Sequence, residues 1–93
     1  MEAAEQAALV RWCKSRGLLV RKLHSTSARG FPDLLVGSPL TKRVMLLEMK
    51  VKGGRLSGPQ KRTIAALSAC GVFVGVPLSA IEARELIKRE LRL

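Results

Sequence analysis

The sequence has little of what several protein classes depend on. Its 93 residues hold two cysteines and one histidine, too few for a zinc site or a disulfide framework. Cys13 and Cys70 lie on apolar faces without metal-ligand spacing, so a reduced, buried pair of thiols is expected. His24, the lone histidine, ends a candidate strand and is expected at the surface rather than in catalysis. No apolar run approaches the ~18 residues of a membrane span. The start, Met1-Glu2-Ala3-Ala4-Glu5, is acidic where a secretory leader is basic and then apolar. A membrane protein or an exported one is therefore disfavoured, and a cytoplasmic location is expected. Repeats, linkers and low-complexity tracts are also missing. The chain is expected to form one domain, residues 1–93, around one core.

Acidic residues are scarce as well. Seven stand against seventeen lysines and arginines, a net charge of +10, which points to a polyanionic partner. Glu82, Glu85 and Glu90 fall on one predicted C-terminal helix, which leaves Glu2, Glu5, Asp33 and Glu48 for the rest of the chain. Residues 42–62 carry Lys42, Arg43, Lys50, Lys52, Arg55, Lys61 and Arg62, with Glu48 the single acid among them. A carboxylate inside that basic field weakens plain polyanion binding. Metal binding would account for its presence.

The chain is organised around residues 31–50. Leu34-Leu35-Val36 and Val44-Met45-Leu46-Leu47 are β-type runs separated by a break containing Gly37, Ser38 and Pro39, which reads as a hairpin. Side chains alternate along a strand, so Glu48 and Lys50 share one face and Met49 takes the other. Pairing then brings Asp33 near Glu48 and Lys50. Two carboxylates, with the Met49 backbone carbonyl as a third oxygen, suit a hard divalent cation such as Mg²⁺ or Mn²⁺. Such a cation activates water and polarises a phosphoryl oxygen, while Lys50 offsets charge growing on phosphorus. The bland alternative for Lys50 is a salt bridge.

Other elements follow from periodicity and caps. Residues 2–16 read as a helix stopped by Gly17, and residues 18–23 as a strand. Glu2 and Glu5 either offset the helix dipole or give the metal site a third carboxylate. Ser25 to Gly30 form a polar approach in which Ser25 and Arg29 suit phosphate contact. A basic loop bearing Lys52 and Arg55 leads to a helix from Ser57 to about Cys70, with Ile64, Leu67 and Ser68 inward. Ser57 and Gln60 make a capping box; active-site polarity is the competing role for Gln60. Lys61 and Arg62 follow as candidate contacts to the polyanion. Residues 72–76 read as a strand ended by Pro77. Ser79 and Glu82 cap a last helix reaching about Leu91, with Ile81, Leu86, Ile87 and Leu91 inward and Arg84, Lys88, Arg89 and Arg92 outward. The order is α-β-β-β-α-β-α: an α/β domain with a small mixed sheet flanked by helices. Val10, Leu18, Leu40 and Leu93 have no evident inward partner.

Gly30-Phe31-Pro32-Asp33, with Glu48-Met49-Lys50 beginning fifteen residues after the aspartate, resembles the PD-(D/E)xK nuclease superfamily. More narrowly, the chain resembles the virus-type replication–repair nuclease domain, VRR-NUC. Glu2 and Gln6, Gly30 to Leu34, Glu48 to Lys50, and Gly53 to Gln60 match that family's motifs in order; His24 departs from the asparagine common near that position. The resemblance implies a restriction-endonuclease-like core. It also implies Asp33 and Glu48 as metal ligands, Lys50 as the catalytic lysine, Gln60 as a polar site residue, and Glu2 or Glu5 as a first-helix acid. It further implies a Mg²⁺- or Mn²⁺-dependent endonuclease of a bacterial or phage-infected cell, without a small-molecule cofactor. That enzyme would act as a homodimer on branched DNA, four-way (Holliday) junctions above all. A monomeric flap or single-strand nuclease and a non-catalytic nucleic-acid-binding module are the rival readings.

Overall fold

The computed structural model describes residues 3–23, 30–50 and 53–93. Helix α1 spans Ala3–Ser15 and ends at Gly17, whose φ of +72° is the left-handed turn a glycine supplies cheaply. Strands β1 (Leu19–Lys22), β2 (Leu34–Ser38) and β3 (Arg43–Leu47) follow, then α2 (Gly58–Ala69), β4 (Val74–Gly75) and α3 (Ala80–Glu90). This is the order expected from the sequence. Among the described residues no helix is long and apolar enough to cross a membrane.

The sheet order is β1-β2-β3-β4, with β1, β2 and β3 antiparallel and β4 parallel to β3. The expected hairpin is β2–β3. Its turn is closed by Lys42 N–H donating to the Ser38 carbonyl at 2.9 Å. Thr41 Oγ1 donates to the Leu91 carbonyl at 2.6 Å and Arg43 Nε to the Glu90 carbonyl at 2.9 Å. Those bonds satisfy carbonyls that the end of α3 leaves unpaired and fix the turn end of the hairpin against that helix. The other end is left free for chemistry.

Period-two alternation divides the sheet into two unlike faces. Val20, Leu34, Val36, Met45 and Leu47 point to one, where α1 and α3 cover them with Leu9, Cys13, Ala83, Ile87 and Leu91 in a single buried cluster. Leu19, Leu35, Gly37, Val44 and Leu46 belong to the other, which α2 covers in part. No residue of α2 is fully buried.

Several sequence expectations change. Leu18 is buried and Val10 packs on the core, so neither lacks a partner. Ile81 is exposed because the α3 stripe is set by Ala80, Ala83 and Ile87, one helical step out of phase with it. Ser79 Oγ accepts from Glu82 N–H, but the Glu82 carboxylate accepts from Leu78 N–H, so that cap is half a capping box. Arg84 lies over the Trp12 ring, 5.6 Å from its centroid, instead of in solvent. Ser68 is exposed on α2, and Cys70, at the C-cap beyond its last turn, is exposed while Cys13 alone is buried. Regular β4 pairing is shorter than expected, yet N–H groups of Leu46, Glu48 and Lys50 donate to carbonyls of Phe73, Gly75 and Pro77. That ladder carries β3 past its last regular residue and into the site.

Candidate active site

Asp33 stands one residue before β2 and Glu48 one residue after β3. The register pairs Leu34 with Leu47, so its extension sets Asp33 opposite Glu48 at the open end of the hairpin, on the face shared with α2. Cross-strand neighbours lie close enough to interact directly. Backbone bonds hold each participant. The Asp33 carbonyl accepts from Leu23 N–H at 2.8 Å, Glu48 N–H donates to Gly75 at 2.9 Å, and Lys50 N–H donates to Pro77 at 3.2 Å. Asp33 Oδ2 accepts from Met49 N–H at 2.9 Å. In an extended chain the N–H and C=O of one residue leave on the same side, so the Met49 carbonyl is directed toward Asp33. The Met49 side chain goes into the core, 8% exposed, as alternation requires.

Glu48 is only 3% exposed. Burial, then the neighbouring Asp33 carboxyl, push its carboxyl up to about 8, against opposing pulls from Lys50 and Gln60. A buried carboxyl beside a second, half-buried one favours a shared proton or a cation between them. The donors here are all oxygen, a hard set that suits Mg²⁺ or Mn²⁺. Among the described residues no group of three or more His, Cys, Asp or Glu could hold a metal. The oxygen donors that could hold such an ion are Asp33, Glu48 and the Met49 carbonyl, with water or phosphate oxygens filling the remaining positions.

Gln60 combines the two roles that sequence reasoning set against each other. Its Oε1 accepts from Ser57 N–H at 2.7 Å and its backbone N–H donates to Ser57 Oγ at 3.2 Å, a complete capping box. The remaining Nε2 donates to Glu48 Oε1 at 3.0 Å. One amide thus starts α2 and orients a carboxylate.

Glu5 is placed elsewhere. Its Oε1 lies 3.5 Å from Ala80 N–H, at the start of α3, where a helix N-terminus attracts a carboxylate. Glu5 therefore complements a helix other than its own, and is not gathered with Asp33 and Glu48. Lys50 is half-buried, while Arg55, Lys61 and Arg62 are exposed. The ion pairs among the described residues, Lys88–Glu85 and Arg89–Glu90, lie on α3. Among the described residues Lys50 makes no ion pair, although its charge acts on Glu48. Glu2, His24, Ser25, Arg29 and Lys52 lie outside the described residues. Lys42 and Arg43, counted with the basic stretch in the sequence, sit at the opposite end of the hairpin from the carboxylates. The strands separate them by roughly 16 Å.

Two opposed carboxylates, a lysine two residues past the second and a glutamine from the helix behind define a nuclease-type α/β domain. Residues 2–80 match the family model of the VRR-NUC domain, and the chain belongs to that family of nuclease domains. It is 40% identical over 58 residues to a Fanconi-associated nuclease 1 homolog of Caenorhabditis elegans; this stretch is 59% of the chain and 7% of that relative. The chain thus spans a small fraction of that relative's length. A solved VRR-NUC domain has a TM-score of 0.72 to it at 28% identity, covering 90% of this chain and 95% of the other. The α-β-β-β-α-β-α order is thus the order of a recognised fold.

Proposed function

We propose that this domain is a divalent-metal-dependent endonuclease acting on branched DNA, four-way junctions first among them. The observation that carries the reading is Glu48: a nearly inaccessible carboxylate, opposite a second one, in a chain of net charge +10. A polyanion-binding module gains nothing from that pair, whereas phosphodiester hydrolysis needs it.

Asp33, Glu48 and the Met49 carbonyl would hold Mg²⁺ or Mn²⁺, which would supply Lewis acidity toward the phosphoryl group and acidify an attacking water. Asp33 is held in position by Met49 N–H, and Glu48 by the Gln60 amide. Lys50 brings a positive charge to the oxygens of the phosphorane-like transition state. Water adds to phosphorus, one ester P–O bond breaks, and the departing oxygen gains a proton. Arg55, Lys61 and Arg62 are exposed and suit backbone phosphates rather than bases. With so little chain left for base reading, shape and charge select the substrate.

Symmetrical cutting of a junction requires two sites, and each chain offers one, so the active form is a twofold dimer. Leu19 and Val44 support this reading, being 45% and 54% exposed on the uncovered part of the site face. The test is cleavage of labelled four-way, flap, single-stranded and linear duplex DNA with Mg²⁺, Mn²⁺ or EDTA. Metal-dependent cutting with four-way junctions preferred is expected. Equal cutting in EDTA would sink the metal role, and preference for flaps would replace the junction assignment.

A further inference from the structure

Three aromatic side chains occur in the chain; Trp12 is committed to cation–π contacts, and Phe73, as exposed as Phe31 at 37%, packs in part against neighbouring side chains. Trp12 lies under Arg16 and Arg84, with guanidinium carbons 5.1 and 5.6 Å from its ring centroid. Phe73 lies beside Gly75, with Leu47 and Leu86 as the other neighbours of that glycine. Phe31 remains. It is 37% exposed, two residues before Asp33, and lines a shallow cleft of about 340 Å³ with Arg62, Thr63, Ala66, Leu67 and Cys70 of and just beyond α2.

Its backbone is fixed from both sides. Gly30 has φ +81°, and a Cβ there would collide with the backbone of Pro59 and Gln60. Pro32, on the other side, is fully buried. An aromatic held this way pays little to order itself on binding. Scattered surface apolar residues are ordinary, but this one stands two residues from Asp33 and heads a cleft that Arg62 also lines. The Arg62 guanidinium has room to lie over Gly58, its Nη1 3.2 Å from where a Cβ would stand.

We infer that the Phe31 cleft takes an unpaired nucleobase of the DNA strand being cut, stacked on the phenyl ring, with Arg62 facing that nucleotide's phosphate. Resting on the nuclease reading, this deepens it: the substrate must present an extrahelical base next to the scissile phosphate. Two residues of chain reach at most about 7 Å between Phe31 and Asp33. An unstacked strand extends beyond the ~3.4 Å per nucleotide of a stacked one, so the base belongs to an immediate neighbour of the cut. A paired base has both faces covered by its stack and is excluded. Charge complementarity between Arg62 and phosphate selects a nucleotide over an apolar peptide.

The test places one abasic nucleotide in turn at each position flanking the cut in a branched DNA with an unpaired arm. Binding to Glu48→Gln protein in EDTA and cleavage by active protein are both followed. In the parent, one position should show about tenfold weaker binding and slower cleavage when its base is absent. Phe31→Ala should lose about tenfold on intact DNA and no longer respond to the abasic nucleotide. Phe31→Leu should behave like Phe31→Ala, and Phe31→Trp should restore the response, its added fluorescence quenched on binding. Undiminished abasic sensitivity in Phe31→Ala, or parent behaviour in Phe31→Leu, would overturn the inference. Phe31-dependent binding in a parent that cuts no DNA would defeat the nuclease reading and leave the base-stacking cleft standing.

Discussion

The two faces of the sheet are built on opposite terms. Against α1 and α3, the residues Leu9, Cys13, Leu34, Val36, Met45, Leu47, Ile87 and Leu91 are all fully buried. Among the described residues no charged side chain belongs to that buried cluster. The α2 face carries Asp33, Glu48 and Lys50, a helix with no fully buried residue, and apolar side chains left in the open. One face concentrates the hydrophobic stabilisation. The other holds a carboxylate pair that opposes folding unless a proton or a cation joins it. A domain this small can carry such a site because the cost falls away from the layer that folds it.

The sharpest test of this division sets one core substitution against one site substitution. Leu47→Ala should cost about 2–5 kcal/mol, a large share of a total on the order of 5–15 kcal/mol, and should be read by denaturant unfolding. Glu48→Ala, next in sequence, should leave stability near the parent value while cleavage falls by about 100-fold or more and DNA binding persists. Asp33→Ala and Lys50→Ala should follow Glu48→Ala. Parent-like cutting by Glu48→Ala would break the comparison.

The pH dependence of stability should expose the same carboxylate. Its unfolded value is 4.5 and its folded value about 8. Between these pH values the folded chain keeps a proton that the unfolded chain gives up. Stability of the metal-free protein should therefore decline as pH rises through that window. Melting temperatures of Glu48→Gln should be flatter there, and Mg²⁺ should stabilise the parent at pH 8 more than this variant. A parent as flat as Glu48→Gln would argue against the raised carboxyl.

Gln60 joins the start of α2 to the site, so its substitutions should split. Gln60→Ala should lose about 1 kcal/mol of stability with the cap and cleavage as well. Gln60→Glu keeps an acceptor for Ser57 N–H but replaces the donor facing Glu48 by a third carboxyl, so activity should fall further than stability. Equal behaviour in both assays would reduce Gln60 to a cap. The smallest effect belongs to the uncovered part of the site face. Light scattering at micromolar protein should give a dimer mass, and Leu19→Asp or Val44→Asp should shift it toward the monomer. A monomer mass in the parent, with full activity on four-way junctions, would remove the dimer.

Most of the architecture is written in local pattern. Gly17 stops α1, Ser57 and Gln60 start α2, Ser79 starts α3, and alternation in residues 34–47 sets the hairpin and its buried face. Asp33 and Glu48 were legible as a pair because few acids compete with them and because a hairpin folded at Pro39 to Lys42 must bring them together. Misplaced residues depended on contacts between distant elements. Ile81 and Arg84 were assigned by helical periodicity, but the phase of α3 is set by how closely Ala83 and Ile87 let it approach the sheet. Glu5 was read either with its own helix or as a third carboxylate of the site, yet the N-terminus it meets is 75 residues away in sequence.

What the sequence determined by itself is therefore the element order, the family, and the convergence of Asp33 with Glu48, since each rests on spacing within a strand or a helix. The tertiary structure alone decided that Glu48 is buried and proton-hungry. It also decided that the Gln60 amide spans cap and carboxylate, that Lys42 and Arg43 sit far from the site, and that Phe31 stands exposed beside it. Burial, and the electric environment it creates, depend on which surfaces close over a residue, and no local pattern specifies those.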